Sequence, residues 1–153
     1  MKFWDQISEV EERILVVAFS DISNFAKIVN GMSNIETFAF LQKYRDLAEP
    51  IITKYDGKII KQIGDALLIV FLESKAKDAK ASFKELESSI NRFLSDYTNN
   101  GKLNISATVG KVAIGLLAPD KTIDVAGQVV NEAAKINGKG ITISKTLKEF
   151  LNT

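Results

Sequence analysis

The chain has 153 residues, 20 of them Lys or Arg and 19 Asp or Glu, for a formal net charge of +1, and it contains neither histidine nor cysteine. This composition excludes disulfides, thiolate nucleophiles, Cys/His zinc sites and haem ligation through His, and it removes the usual general base near neutral pH. Chemistry must then come from carboxylates, lysines, the three arginines (Arg13, Arg45, Arg92), hydroxyls, backbone dipoles or a bound hard cation such as Mg²⁺, Mn²⁺ or Ca²⁺. Met1 to Glu12 sets Phe3, Ile7 and Val10 at helical spacing among acids, which predicts a short amphipathic helix over residues 1–12 ahead of a domain over 13–153. Asp5, Glu9, Glu11 and Glu12 argue against a secretory signal, so a cytoplasmic location is expected.

Arg13 to Ser20 is a continuous apolar, β-branched run, expected to be a strand buried on both faces. Its core, Ile14 to Phe19, is the longest apolar run and far too short to cross a bilayer. Ser33 and Glu36 have capping-box spacing, and Phe38, Leu41, Tyr44, Leu47, Ile51 and Ile52 follow with a helical period. Pro50 predicts a kink or break near Glu49. Gly57 to Ile63 and Ala66 to Phe71 are strand-like, with Gly64-Asp65 as a tight turn between them. Ala79, Phe83, Leu86, Ile90, Phe93, Leu94 and Tyr97 mark a second helix, stopped by Asn99-Asn100-Gly101. Leu103 to Val109 and Lys111 to Leu117 are predicted strands, Gln128 to Ile136 a short helix, Ile141 to Ser144 a last strand and Thr146 to Leu151 a terminal helical turn. The order predicts an α+β fold with a ferredoxin-like βαββαβ core and a C-terminal α/β appendage. Near-zero net charge argues against a nucleic-acid partner.

This topology places the first strand beside, and antiparallel to, the third. Asp21 at the end of the first strand and Asp65 at the hairpin should therefore meet at one sheet edge. Converging carboxylates repel unless a cation neutralises them, and a divalent hard cation suits a chain without His or Cys. The alternative is that Asp21 caps a helix and Asp65 serves a turn.

Four segments decide between these readings. Val17-Ala18-Phe19-Ser20-Asp21-Ile22-Ser23-Asn24-Phe25 is similar to the pattern F-x-D-I-x-x-F, and Lys61-Gln62-Ile63-Gly64-Asp65 to K-x-I-G-D. Gly110 to Gly115 is similar to G-x-V-x-x-G, and Asp124 to Lys135 to D-x-W-G-x-x-V-N-x-A-x-R. In this order and spacing they resemble the class III adenylate/guanylate cyclase catalytic domain, from about Arg13 to Thr146. The resemblance implies a nucleotidyl cyclase fold and conversion of ATP to cyclic AMP and pyrophosphate. Asp21 and Asp65, with the carbonyl of Ile22, would hold two divalent cations, Mg²⁺ or Mn²⁺. The N–H groups of Ser23, Asn24 and Phe25 would cradle the triphosphate. Lys61 and Asp124 would read adenine, a pair that favours ATP over GTP. Asn131 and Lys135 would act in catalysis, Asn131 on the ribose and Lys135 on phosphate. The family pattern also implies a homodimer, one chain giving the aspartates and the other giving Lys61, Asp124 and Asn131 to each shared site.

The sequence departs from that pattern at three places. Lys135 stands where the pattern has Arg, exchanging a planar fork for a point charge. Ala126 replaces Trp, and the C-terminal hairpin with a further phosphate-binding Lys is not in this sequence, which ends at Thr153. These departures support an alternative: a catalytically weak or inactive cyclase-like module that binds nucleotide or dimerises. Plainer roles also exist for single residues. Lys61, Asn131 and Lys135 suit a solvated surface, Phe25, Phe38 and Phe40 suit the core, and Lys75, Lys77 and Lys80 suit a solvated helix start.

Overall fold

The computed structural model describes residues 2–153. A 3-10 turn, Phe3–Gln6, leads into strand β1 (Glu11–Ile22), helix α1 (Phe25–Val29), helix α2 (Asn34–Lys54), and strands β2 (Lys58–Ile63) and β3 (Ala66–Leu72). Helix α3 (Ala76–Leu94), strands β4 (Leu103–Leu117) and β5 (Thr122–Ala126), helix α4 (Gln128–Lys135), strand β6 (Ile141–Ile143) and helix α5 (Lys145–Leu151) follow. The sheet order is β2-β3-β1-β4-β5, with β6 parallel to β4 and the other pairings antiparallel. Strands β2-β3-β1-β4 with α2 and α3 form the ferredoxin-like core, and β5, α4, β6 and α5 form the appendage.

Period-two alternation divides β1 between two cores. Val16, Ala18 and Ile22 face α2 and α3, packing with Tyr44, Phe71, Phe83 and Leu86. Leu15 and Val17 face the other way, toward Trp4, Leu68, Val112, Ile114 and Ala133 of α4. Leu15 to Ala18 are each fully buried, so β1 is covered on both faces along this stretch. Strong burial of a dozen large side chains, at about 25 cal/mol per Å² of apolar surface, is what holds the sheet between its helices.

Several expected boundaries move. The described part of residues 1–12 is not an amphipathic helix: one 3-10 turn buries Trp4, whose Nε1 donates to the Asp56 carbonyl at 3.1 Å, and β1 already begins at Glu11. Pairing with Ile114 and Ala113 recruits Glu11 and Glu12 into the ladder. Helix α2 does not break at Glu49 but continues through Pro50 to Lys54. Pro50 frees the carbonyl of Asp46, which lies on the exposed face where water can take it. Its N-terminus does carry the capping box, with Glu36 N–H donating to Ser33 Oγ and Ser33 N–H to Glu36 Oε1, both at 3.1 Å. β4 is one strand through Gly110, not two. A Cβ there would stand 2.5 Å from Val129 Cγ2, so this glycine admits α4 against the sheet instead of ending the strand. α3 ends at Leu94, before the Asn99-Asn100-Gly101 signal, and β5 is a strand beyond those the sequence pattern predicts.

Candidate active site

Two clusters of predicted residues take shape from this frame. The first lies where β1 ends. The main-chain N–H of Ile22 donates to Asp65 Oδ2 at 3.0 Å, which brings the β2–β3 hairpin against the end of β1. Gly64, with φ of +59°, makes that two-residue hairpin turn, between the paired Ile63 and Ala66. Asp21 faces Asn104 across the β1–β4 ladder, and Asn104 Nδ2 donates to Asp21 Oδ1 at 3.1 Å. Behind this edge the buried hydroxyls of Ser20 and Tyr44 share a 2.7 Å hydrogen bond. Burial raises the Tyr44 hydroxyl far above its ordinary range; the bond to Ser20 opposes this, and the charges of Asp65 and Asp21 add to it.

The turn after β1 is more occupied than expected. Ser23 N–H donates to the Lys102 carbonyl at 2.9 Å, and Lys102 N–H donates back to Ser23 Oγ at 2.9 Å. Asn24 takes the left-handed conformation, φ of +59°, and its Nδ2 donates to the Asn100 carbonyl. Of the three N–H groups expected to cradle phosphate, that of Ser23 is therefore tied to the chain. Phe25 begins the five-residue helix α1. A cleft of about 500 Å³ opens beside this turn, walled by Ser23, Asn24, Lys102, Asn104 and Lys139.

The second cluster joins the two ends of the sheet. β2 and β5 lie at opposite ends of the strand order, yet the sheet curls enough for them to touch. A bulge at Ile60 shifts the register so that Lys61 pairs with Leu68. Lys61 Nζ donates to Asp124 Oδ2 at 3.1 Å, and Asp124 Oδ1 accepts from the Val125 N–H at 2.8 Å. Asn131 and Lys135 sit four residues apart on α4, on one exposed face.

The sequence matches the family described as the adenylate and guanylate cyclase catalytic domain over residues 8–153. The chain belongs to that family. An adenylate cyclase of Anabaena cylindrica is 26% identical over 143 residues, covering 87% of this chain and 28% of the relative. A terminal-differentiation-specific adenylate cyclase of Dictyostelium discoideum is 29% identical over 132 residues, covering 79% of this chain and 6% of the relative. The chain thus spans less than a third of these relatives. Among solved structures, the non-canonical dimeric guanylyl cyclase domain of the RhoGC fusion protein from Blastocladiella emersonii superposes with a TM-score of 0.85 at 24% identity, covering 95% of this chain and 87% of that one. The adenylyl cyclase CyaB from P. aeruginosa gives 0.83 at 21%, covering 94% and 83%. The nucleotidyl cyclase fold follows from both.

The donor set of this cyclase domain can be tested against a divalent cation. Among the described residues, no three His, Cys, Asp or Glu side chains gather into a metal site. Asp21 and Asp65 supply two carboxylates at one edge, each anchored through one oxygen. Mg²⁺ is commonly held by one or two carboxylates together with substrate phosphates and water. Two aspartates therefore fit a cation that arrives with a polyphosphate. Among the described residues of the cyclase domain, no helix is long and apolar enough to cross a membrane.

Asn104, Tyr44 and Lys102 carry no motif that marks them in the sequence as neighbours of this site. Alternation in Leu103 to Val109 puts Asn104 on the less apolar face, but its position opposite Asp21 depends on the β1–β4 register, which no local signal specifies.

Proposed function

We propose that this cyclase domain converts ATP to cyclic AMP and pyrophosphate at sites shared between two copies. The observation that carries the choice of ATP is the meeting of Lys61 and Asp124 at 3.1 Å. Adenine offers an acceptor ring nitrogen beside an amino donor, whereas guanine offers a carbonyl acceptor at the corresponding position. A fixed ammonium donor next to a carboxylate acceptor matches adenine and opposes guanine.

In the reaction the ribose 3′-oxygen bonds to the α-phosphorus, the bond to the bridging oxygen breaks, pyrophosphate leaves and the hydroxyl proton passes to solvent. Such transfer depends mainly on positioning and charge neutralisation. Asp21 and Asp65 would hold the divalent cations, Mg²⁺ or Mn²⁺, that accompany the triphosphate. When bound, such cations lower the hydroxyl pKa and neutralise charge on the leaving group. Asn24 and Phe25 offer main-chain N–H groups to phosphate, Asn131 holds the ribose and Lys135 donates to a phosphate oxygen. The exposed Val10 and Leu117, beside the groove that Asp124 lines, support a second copy covering this side of the sheet.

Incubating the purified chain with ATP or GTP and Mn²⁺ tests the reading. Cyclic AMP should form, cyclic GMP should not, and Asp65→Ala should abolish product. Equal product from the Asp65→Ala chain would exclude it. A second reading, a nucleotide-binding module with little turnover, is favoured by Lys135 in place of the family arginine. Calorimetry that detects metal-dependent ATP binding without cyclic AMP formation would select it.

A further inference from the structure

Asn104 stands opposite Asp21 in the β1–β4 ladder and uses both ends of its side chain. Its Nδ2 donates to Asp21 Oδ1 at 3.1 Å, and its Oδ1 accepts from the Gly140 N–H at 3.0 Å. The amide cannot turn over without setting its oxygen against a carboxylate and its NH₂ against an N–H donor. The Gly140 carbonyl in turn accepts from the Ile105 N–H at 2.9 Å, so the loop after α4 is pinned to β4 at Asn104 and at the residue after it. Gly140 has φ of +67°, and a Cβ there would lie 3.1 Å from Glu87 Oε2. Asn104 also lines the cleft that contains Ser23, Asn24, Lys102 and Lys139.

We propose that Asn104 is a positioning residue for Asp21. It fixes the carboxylate through one oxygen, so that the other is presented to the cation carried by the triphosphate, and it ties this geometry to the loop bearing Lys139. A neutral amide suits the task, because it orients the carboxylate without neutralising the charge that attracts the cation. This role rests on the cyclase reading. Groups that orient a metal-binding side chain typically account for about 10- to 100-fold in metal affinity or activity.

The test is Mn²⁺ uptake, followed by electron paramagnetic resonance with a non-hydrolysable ATP analogue, in the full chain and in Asn104→Ala. Uptake should weaken by about tenfold or more in the variant. In the activity assay, the Mn²⁺ concentration giving half-maximal rate should rise, while KM for ATP at saturating Mn²⁺ stays unchanged. A purely structural role would lower the melting temperature without that split. Equal Mn²⁺ uptake by both chains would overturn the positioning role and leave the cyclase reading intact. No uptake by the unmodified chain would overturn both. If Asn104→Ala does not fold, the unmodified chain decides. Mg²⁺ with the analogue should shift the Asn104 side-chain amide resonances, and unmoved resonances would overturn the proposal.

Discussion

Lys61 and Asp124 are 63 residues apart in sequence and 3.1 Å apart in space, and the energetics say what the pair is for. Its side chains are 45% and 22% exposed, and ion pairs at such sites contribute about 0–1 kcal/mol to stability. Lys61→Glu should therefore fold normally. It should lower kcat/KM for ATP by about 10- to 100-fold, the loss of one hydrogen bond from a charged donor. An unchanged preference for ATP over GTP would remove the specificity argument. Tyr44 makes the opposite case, since it is buried and its hydroxyl bonds the equally buried Ser20. Tyr44→Phe orphans that serine and should cost about 1–2 kcal/mol at pH 7. Above pH 10.0, the ordinary value for tyrosine, the unfolded chain loses the phenolic proton while the folded chain keeps it. The contribution of Tyr44 is thus complete below that pH and is lost as pH rises. Urea denaturation at pH 7 and pH 11 should show the gap between the two chains narrowing. At this scale the topology and the motifs point to the meeting of Asp21 with Asp65 and of Lys61 with Asp124 as places, and leave their roles to the proposal. Tyr44 reads as one more helical core position, because nothing local says that a helix hydroxyl will face a strand serine.

Helix α4 is held at its distance from the sheet by an absent side chain. Gly110 is where Val129 packs, and an alanine there would place its Cβ 2.5 Å from Val129 Cγ2. Gly110→Ala should cost about 1–3 kcal/mol by overpacking. Because α4 carries Asn131 and Lys135, activity should fall further than the folded fraction does. Adding Val129→Ala should restore part of both, and a double variant no better than Gly110→Ala alone would show that α4 is not displaced by this contact. The element pattern is largely readable: a β-branched run marks β1, an apolar strand-like run marks β3, and the capping box marks the start of α2. What escaped has identifiable causes. Gly110 reads as a strand breaker only while its neighbour across the sheet is unknown. Pro50 reads as a helix breaker only while the exposure of Asp46 is unknown. β5 is five residues long with Asp124 at its centre, and it exists because β4 offers it a ladder from Ala113 to Leu117.

Within one protomer, Asp65 closes the β2–β3 hairpin while Lys61 lies within β2, two residues before that strand ends at Ile63, and its ammonium is paired with Asp124 of β5. The groups proposed to bind cations and those proposed to read the base thus form two separate clusters, an arrangement that a two-fold axis can complete by bringing each cluster against its complement. Such a dimer has a quantitative signature. Asp65→Ala removes the cation end of every site, and Asn131→Ala removes the ribose end; each variant alone should be nearly silent. In an equimolar mixture that exchanges freely, about half the dimers are mixed. In each mixed dimer one site combines both lesions and the other combines none. The mixture should recover about a quarter of the activity of the unmodified chain at the same total concentration. Recovery should rise from zero as the mixture is concentrated through the dimer dissociation constant, which sedimentation gives independently. A mixture as silent as its components, at concentrations where sedimentation finds dimers, would place all the groups of a site on one chain and return the shared-site reading to a monomeric one.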